Sequence, residues 1–460
     1  MRLPRIMVAA PASGSGKTLV TCGLLRAFAA RGMAPIAFKC GPDYIDPAFH
    51  RAVVGVPSSN LDLFFTGEAR ARSLMARAAS DAGSDIAVVE GVMGFYDGLS
   101  CESDEASSYH VSRATSTPAV LVVDARGAAL SVAATVAGFA RFRPDARVVG
   151  AILNRCAPAV ASRIAPAVER EAHVPVLGCL PADERFALES RRLGLVMPAE
   201  QARLAQTVDA IAAQLEETVD IDRLIGLASA APDLAEGPFR LDPVIAPGAP
   251  APAIAVAEDE AFCFCYRENL RALEDLGAKV VPFSPLRDRG LPAGACGLYL
   301  VGGYPELHAG RLSGNAAMRA SVREAVASGM PVLAECGGFM YLQRELAGAD
   351  GRTWPMVGAL PGSCRDTGRL SHFGYVTLTA REGCALLPEG ARARAHEFHY
   401  WHSTDEGASW RAAKPASARG WDCGVARGNI MAGFPHVYFP GEPDIVRRLV
   451  RAAAGWGERS

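Results

Sequence analysis

The sequence predicts an α/β protein with two sheet-containing domains, the first a doubly wound parallel sheet around a phosphate loop. Three observations predict it. Short apolar runs alternate with alanine-rich stretches of helical length, the pattern of parallel strands joined by helices. A glycine-rich loop, Ala10-Pro11-Ala12-Ser13-Gly14-Ser15-Gly16-Lys17-Thr18, follows the first run. Near the other end the apolar Pro331-Val332-Leu333-Ala334 leads through Glu335 to Cys336-Gly337-Gly338, the strand–turn–helix setting of an exposed nucleophile.

The strands of the first domain are expected at 5–10, 36–39, Ile86–Glu90, Ala119–Asp124, Val148–Asn154 and Val176–Leu180, each of a length suited to a buried strand. Residues 18–31 and 130–142 have the length and alanine content of covering helices. Ligands of such sheets bind beyond the carboxyl ends of the strands, and every motif below falls there. The run Ala246-Pro247-Gly248-Ala249-Pro250-Ala251-Pro252 cannot hold a helix or an interior strand. Residues 231–252 are therefore expected to link a domain over 1–230 to one over 253–460. The second alternation reads Ala253–Ala257, a helix over 267–276, strands over 279–282 and 297–301, a helix over 316–328 and a strand over 331–334. The last third is richer in β pattern, at 375–379 and 395–400.

The chain has 460 residues, half of them hydrophobic, enough for two or three domains. It carries 47 basic and 49 acidic residues without a basic stripe, which argues against a nucleic-acid partner. No apolar run reaches the ~20 residues of a membrane span. The stretch Ile6-Met7-Val8-Ala9-Ala10 runs straight into the phosphate loop. It therefore reads as a buried strand, not a secretion signal, and the chain is expected to be soluble and cytoplasmic. The 12 cysteines include no Cys-x-x-Cys pair, Cys263 and Cys265 coming nearest. Most are expected to be reduced and to behave as small buried hydrophobes. Cys336 is the exception.

Gly14, Ser15 and Gly16 can turn their N–H groups inward, because glycine tolerates the backbone angles required. The helix that follows adds the positive end of its dipole. Lys17 is placed to neutralise terminal phosphates, and Thr18 to offer a hydroxyl to Mg²⁺. Pro11 stands where the usual pattern has glycine, and Ala12 where partitioning ATPases of this superfamily carry a further lysine. Next comes Lys39-Cys40-Gly41-Pro42-Asp43-Tyr44-Ile45-Asp46-Pro47, with carboxylates after a strand end. Beside a phosphate loop, such groups hold Mg²⁺ or place the acceptor; as turn formers they need no ligand. Glu90-Gly91-Val92-Met93-Gly94-Phe95-Tyr96-Asp97-Gly98 follows another strand and is Walker-B-like, with Glu90 reaching the metal and Asp97 on a loop. Asn154 ends a strand, where its carboxamide can read a base edge or cap backbone.

At the cysteine elbow, the helix N-terminus is expected to lower the thiol pKa. Gly337, and Gly303 of Gly302-Gly303-Tyr304, are candidate oxyanion donors. His436 is the candidate base. His396 and His399 form a His-x-x-His without the zinc-protease pattern, and residues three apart on a strand point to opposite faces.

In this order the blocks at 10–18, 39–47, 90–98, 302–306, 335–342 and 396–400 resemble the cobyrinic/hydrogenobyrinic acid a,c-diamide synthases of cobalamin biosynthesis, essentially end to end. The resemblance implies a dethiobiotin-synthetase-like ATP domain followed by a class I glutamine amidotransferase domain. It implies that Ser13, Gly14, Ser15, Gly16, Lys17 and Thr18 bind ATP, that Thr18, Asp43 and Glu90 hold Mg²⁺, and that Cys336 and His436 liberate ammonia from glutamine. Class I domains place a glutamate two residues after the histidine. Tyr438 stands there, so the third member of the triad is open. The block His-Glu-Phe-His-Tyr continues with Trp401 where the family has Ser or Thr, and it receives no catalytic role.

The expected reaction is ATP-dependent amidation, through an acyl phosphate, of the a and c acetates of a corrinoid polyacid. Candidate substrate contacts are Tyr44, Asp46, Asp97, Arg191 and Arg192, the arginines being equally readable as solvated surface. Partners are then ATP, L-glutamine and the macrocycle, with a homodimer left open. Cobyric acid synthase and a sirohydrochlorin a,c-diamide synthase are the neighbouring readings. A nucleotide-dependent switch with an inert amidotransferase-like domain is the non-enzymatic one.

Overall fold

The computed structural model describes residues 1–186 and 198–459. The chain divides into two compact units, Met1–Phe239 and Arg240–Ser460.

The first unit is built on β1 (Arg5–Ala9), β2 (Pro35–Cys40), β3 (Ser58–Leu61), β4 (Ile86–Glu90), β5 (Ala119–Asp124), β6 (Val148–Asn154) and β7 (Val176–Leu180). All are parallel, in the order β3-β2-β4-β1-β5-β6-β7. Every residue of β1, β2 and β4 is buried, as a parallel sheet covered on both faces requires. Alternation along each strand splits the core. Met7, Ala9, Phe38 and Val89 pack on one side, and Ile6, Val8, Ala37 and Val88 on the other. The chain winds away from β1 to either side, which opens a crevice at its carboxyl end. There the helix Lys17–Ala30 begins.

The edge strand β3 carries no hydrophobic signature, because Ser58 and Asn60 serve polar contacts. Asn60 Nδ2 donates to the carbonyls of Gly41 (3.0 Å) and Asp43 (2.7 Å). Ser58 Oγ lies 3.1 Å from His50 Nδ1. At the opposite end of the sheet the buried Arg5 guanidinium donates to the carbonyls of Leu3, Thr115 and Pro232. The N-terminal ammonium donates to Leu234 O at 2.8 Å.

In the second unit β8 (Ala253–Ala257), β9 (Lys279–Phe283), β10 (Ala295–Leu300) and β11 (Val332–Glu335) run parallel with Ile430–Gly433. Val425–Arg427 closes one edge antiparallel. An antiparallel sheet follows, ordered Gly420–Cys423, Trp410–Ala413, His372–Ala380, Arg392–His399 and His436–Val437. A smaller four-stranded sheet completes the unit. Glu335 pairs with Gly433 across the parallel strands. The residues just past those two ends, Cys336 and His436, therefore emerge at the same edge of the sheet.

Among the described residues no helix is long and apolar enough to cross a membrane.

Candidate functional site

The crevice beyond β1 is a cavity of about 910 Å³, lined among others by Ser13, Gly14, Gly16, Lys17, Thr18 and Asp43. Gly14 (φ 77°) and Gly16 (φ 101°) hold the left-handed angles that let the loop curl before the helix. Ser15 Oγ bonds back to Ala12 O at 2.9 Å. The Lys17 ammonium donates to the carbonyls of Ala12 and Met93. Burial, then the charge of Lys39, pulls Lys17 down to about 8.

Behind the loop lies a buried charge cluster. Glu90, fully buried, accepts the Thr18 hydroxyl at 2.6 Å and the Lys39 ammonium at 2.9 Å on one oxygen. His50 Nε2 stands 3.1 Å from its other oxygen. Lys39 also pairs with Asp46. Burial opposes charge on Lys39, but Asp46, Glu90 and Asp43 outweigh it and hold the ammonium well above its ordinary value. Burial pushes Glu90 up, and Lys39 and His50 overcome it, leaving Glu90 well below the carboxylate range. Asp46 goes the other way, up to about 7, through burial and its carboxylate neighbours. Lys39 and His50 escaped the sequence reading. Lys39 looks like the last polar residue of a strand, and His50 lies in an irregular turn of helix, His50–Val54, without a motif.

The remaining sequence candidates separate. Asp43 lines the cavity, and its Oδ1 caps the N–H groups of Ile45 (2.8 Å) and Asp46 (3.1 Å). Tyr44 is half-buried at the start of helix Ile45–Phe49. Asp97 is exposed and accepts the Gly94 N–H at 2.7 Å within its own loop. Asn154 also lines the cavity, but its Nδ2 is committed to Ser15 O at 2.8 Å, so it braces the phosphate loop. Arg191 and Arg192 lie outside the described residues.

In the second unit Cys336 takes φ 47° and ψ −103° between β11 and the helix Gly337–Leu342. This strained elbow is what a nucleophile between strand and helix requires. Its N–H is fixed on Gly433 O at 2.8 Å. A Cβ on Gly302 would lie 2.3 Å from His436 Cε1, and one on Gly337 would lie 2.9 Å from Gly303 N. These contacts place Gly302, Gly303, Cys336, Gly337 and His436 in one small chamber. Only glycine fits at two of its walls.

The thiol does not behave as the sequence suggested. Burial pushes Cys336 up, and Glu306, Glu397 and Glu335 add to it. The six-residue helix supplies one N–H, from Gly337, against this. His436 is pulled down to about 3 by burial and then by His399. Burial thus disfavours the charged form of both the thiol and the imidazole. Glu335 is pushed up to about 8 by burial, against the pull of the Val437 N–H and the Tyr299 hydroxyl.

The His-Glu-Phe-His block comes closer to this chamber than its spacing suggested. His396 and His399 are both buried, although Arg394 and Phe398, on the same strand face as His396, are exposed. His396 is the cross-strand partner of His436. The His399 ring stacks on Phe434 at 3.9 Å. Among the described residues no group of three or more His, Cys, Asp or Glu side chains is placed to hold a metal ion.

Comparison with known proteins identifies a domain in each unit. Residues 6–195 match the CobQ/CobB/MinD/ParA nucleotide binding domain. Residues 253–443 match the CobB/CobQ-like glutamine amidotransferase domain. The chain is 37% identical over 457 residues to a cobyrinate a,c-diamide synthase of Caldanaerobacter subterraneus, covering 98% of this chain and 99% of that one. It is 37% identical to the Listeria innocua cobyrinate a,c-diamide synthase, over 97% of this chain and 99% of that one. It is 40% identical to a hydrogenobyrinate a,c-diamide synthase of Streptomyces coelicolor, over 97% of each. With a nucleotide crevice in one unit and a cysteine–histidine chamber in the other, and with this identity along nearly its whole length, the chain belongs to the cobyrinate/hydrogenobyrinate a,c-diamide synthase family of glutamine-dependent ligases.

Proposed function

We propose that this enzyme amidates the a and c acetate side chains of cobyrinic or hydrogenobyrinic acid in the cytoplasm, spending ATP and taking nitrogen from L-glutamine. The observation that carries the reading is the presence of two equipped centres in one chain: Lys17 and Thr18 against buried Glu90, and Cys336 with His436 in a glycine-walled chamber.

At the first centre, the loop of Ser13 to Gly16 binds the ATP phosphates, and Lys17 stabilises the charge that develops as the γ-phosphoryl moves to a substrate carboxylate. The product is an acyl phosphate, whose carbon now has a leaving group. Thr18, Asp43 and Asp46, which line the crevice, offer only oxygen donors, which suits Mg²⁺, an ion that takes one or two carboxylates and keeps phosphate oxygens and waters; Glu90, behind Thr18, would reach it through water. When bound there, Mg²⁺ would neutralise phosphate charge. Asp43 and Asp46, which line the crevice, would face the acceptor, with Tyr44 and Asp97 as more distant candidate contacts.

At the second centre, the Cys336 sulfur attacks the side-chain carbonyl of glutamine while His436 takes the thiol proton. Gly303 and Gly337 N–H groups receive the oxyanion. The imidazolium returns the proton to the departing ammonia, and water releases glutamate from the thioester. Ammonia then displaces phosphate from the acyl phosphate. Burial that disfavours the thiolate is consistent with this order, in which the nucleophile is unmasked as the proton leaves.

Purified enzyme given ATP, Mg²⁺, glutamine and either macrocycle should yield a product carrying two new amides, located on the a and c carboxyls by fragmentation mass spectrometry. Failure with both macrocycles, beside an active control synthase, defeats the reading. Amides on other carboxyls, or turnover of sirohydrochlorin alone, would assign it to a neighbouring reaction.

A further inference from the structure

We propose that Glu335 is the positioning residue for His436, in the role that class I amidotransferases give to a glutamate two residues after the histidine. The inference rests on the reading of Cys336 and His436 as nucleophile and base. Tyr438 occupies the usual acid position in this chain. It is 1% exposed, and its ring packs edge-on against Tyr266, 5.0 Å between centroids. The carboxylate comes instead from the neighbouring strand. Because β11 pairs with Ile430–Gly433 so that Glu335 faces Gly433, the Glu335 side chain meets the segment that carries the histidine.

Glu335 acts on that segment in two ways. Its Oε1 accepts the Val437 N–H at 2.8 Å, which fixes the backbone next to the imidazole. Its Oε2 lies 3.9 Å from His436 Nδ1, the ring nitrogen that an orienting acid must face. The carboxylate itself cannot swing. Oε2 accepts the Tyr299 hydroxyl at 2.8 Å. Asn269 Nδ2 in turn donates to the Tyr299 oxygen (3.1 Å) and to Val437 O (2.9 Å), and its Oδ1 accepts the Phe439 N–H (2.8 Å). Glu335 and Asn269 therefore clamp successive backbone groups after His436 from one side. Gly302 stands against the ring at Cε1. Burial raises Glu335 to about 8, so the imidazolium formed during thiol attack would itself favour the ionised form of the side chain beside it, with little water to screen the attraction. Glu335 touches neither glutamine nor sulfur in this arrangement; it acts through His436.

The test is steady-state glutaminase kinetics on Glu335→Gln in the full-length enzyme. The amide keeps the shape and an acceptor for Val437 N–H but cannot ionise when the imidazolium forms. The expected result is a kcat lowered roughly 10- to 100-fold, the range for removing a supporting shell partner. KM for glutamine should stay within about twofold, and ammonia-supported synthesis should be unchanged. A structural role alone would not separate kcat from KM in this way. His436→Ala is the control. If it abolishes glutaminase activity while Glu335→Gln keeps kcat within about twofold, the positioning role is overturned and the base assignment stands. If His436→Ala itself retains activity, the base assignment fails. Should Glu335→Gln not fold, Tyr299→Phe removes only the hydroxyl that holds Oε2. A several-fold fall in kcat at constant KM is then expected, and an unchanged kcat overturns the inference.

Discussion

Thr18 donates its hydroxyl hydrogen to Glu90 across 2.6 Å, joining the first turn of the helix after the phosphate loop to the end of β4. The bond brings together motifs that lie 72 residues apart in the chain. It also puts a fully buried carboxylate behind the loop, where its charge is balanced by Lys39. The phosphate-facing side chains are thereby held in place before any ligand arrives.

Lys17→Ala should abolish synthesis with glutamine and with ammonia alike, because both need the energised carboxylate. The measurement is diamide formation with each nitrogen source, with glutaminase activity as a check on the other unit. Retained ATP-dependent product with ammonia contradicts the role given to Lys17.

Lys39→Met should destabilise the first unit by about 3–5 kcal/mol, the cost typical of stranding a buried ionic partner. Glu90 and Asp46 lose their shared counter-charge. Denaturant unfolding followed by a probe in the first unit would show it. An unchanged midpoint would mean that His50 and water suffice to balance the cluster.

Nucleotide affinity should depend on pH through Lys17. Its ordinary value of 10.5 falls to about 8 in the ligand-free crevice, and phosphate favours the charged form. Affinity is then flat below about pH 8 and weakens above it, by at most about tenfold per unit. Titration calorimetry between pH 7 and pH 10 (roughly, the span that brackets this value) measures the effect. Lys17→Arg, whose side chain stays charged, should lack the falling limb.

Cys336→Ala should lose glutamine-dependent synthesis and keep synthesis with added ammonia. Loss of both activities in a folded protein would count against the division of labour between the two units.

Gly302→Ala should reproduce that phenotype without touching the nucleophile. The new methyl would lie 2.3 Å from His436 Cε1, so the imidazole must move. A drop in glutaminase kcat of at least about 100-fold is expected, since small misplacements of reacting groups carry that cost. Normal glutaminase activity would show that His436 can be displaced harmlessly and is not the base.

The motifs were legible because each is local. Gly14, Gly16, Lys17 and Thr18 need only a preceding strand and a following helix to form their loop, and Cys336-Gly337-Gly338 likewise. The strands β1, β4, β5, β6 and β7 were legible because burial on both faces leaves an unbroken apolar run. The polar strand β3 was not, since its side chains answer to His50, Gly41 and Asp43 and not to a core. Lys39 and His50 were missed for the same reason: their partners come from distant segments.

The sequence by itself determined the fold class and the family, and named the candidate reactive residues, because all of these follow from short-range patterns of residue type. Tertiary structure alone decided three things. It raised the Cys336 thiol, because burial and the surrounding glutamates outweigh one short helix. It turned Asn154 onto the phosphate loop. It brought Glu335 to His436 through the register of two neighbouring strands. Electrostatics and orientation depend on which distant groups share a dry volume, and no local pattern encodes that.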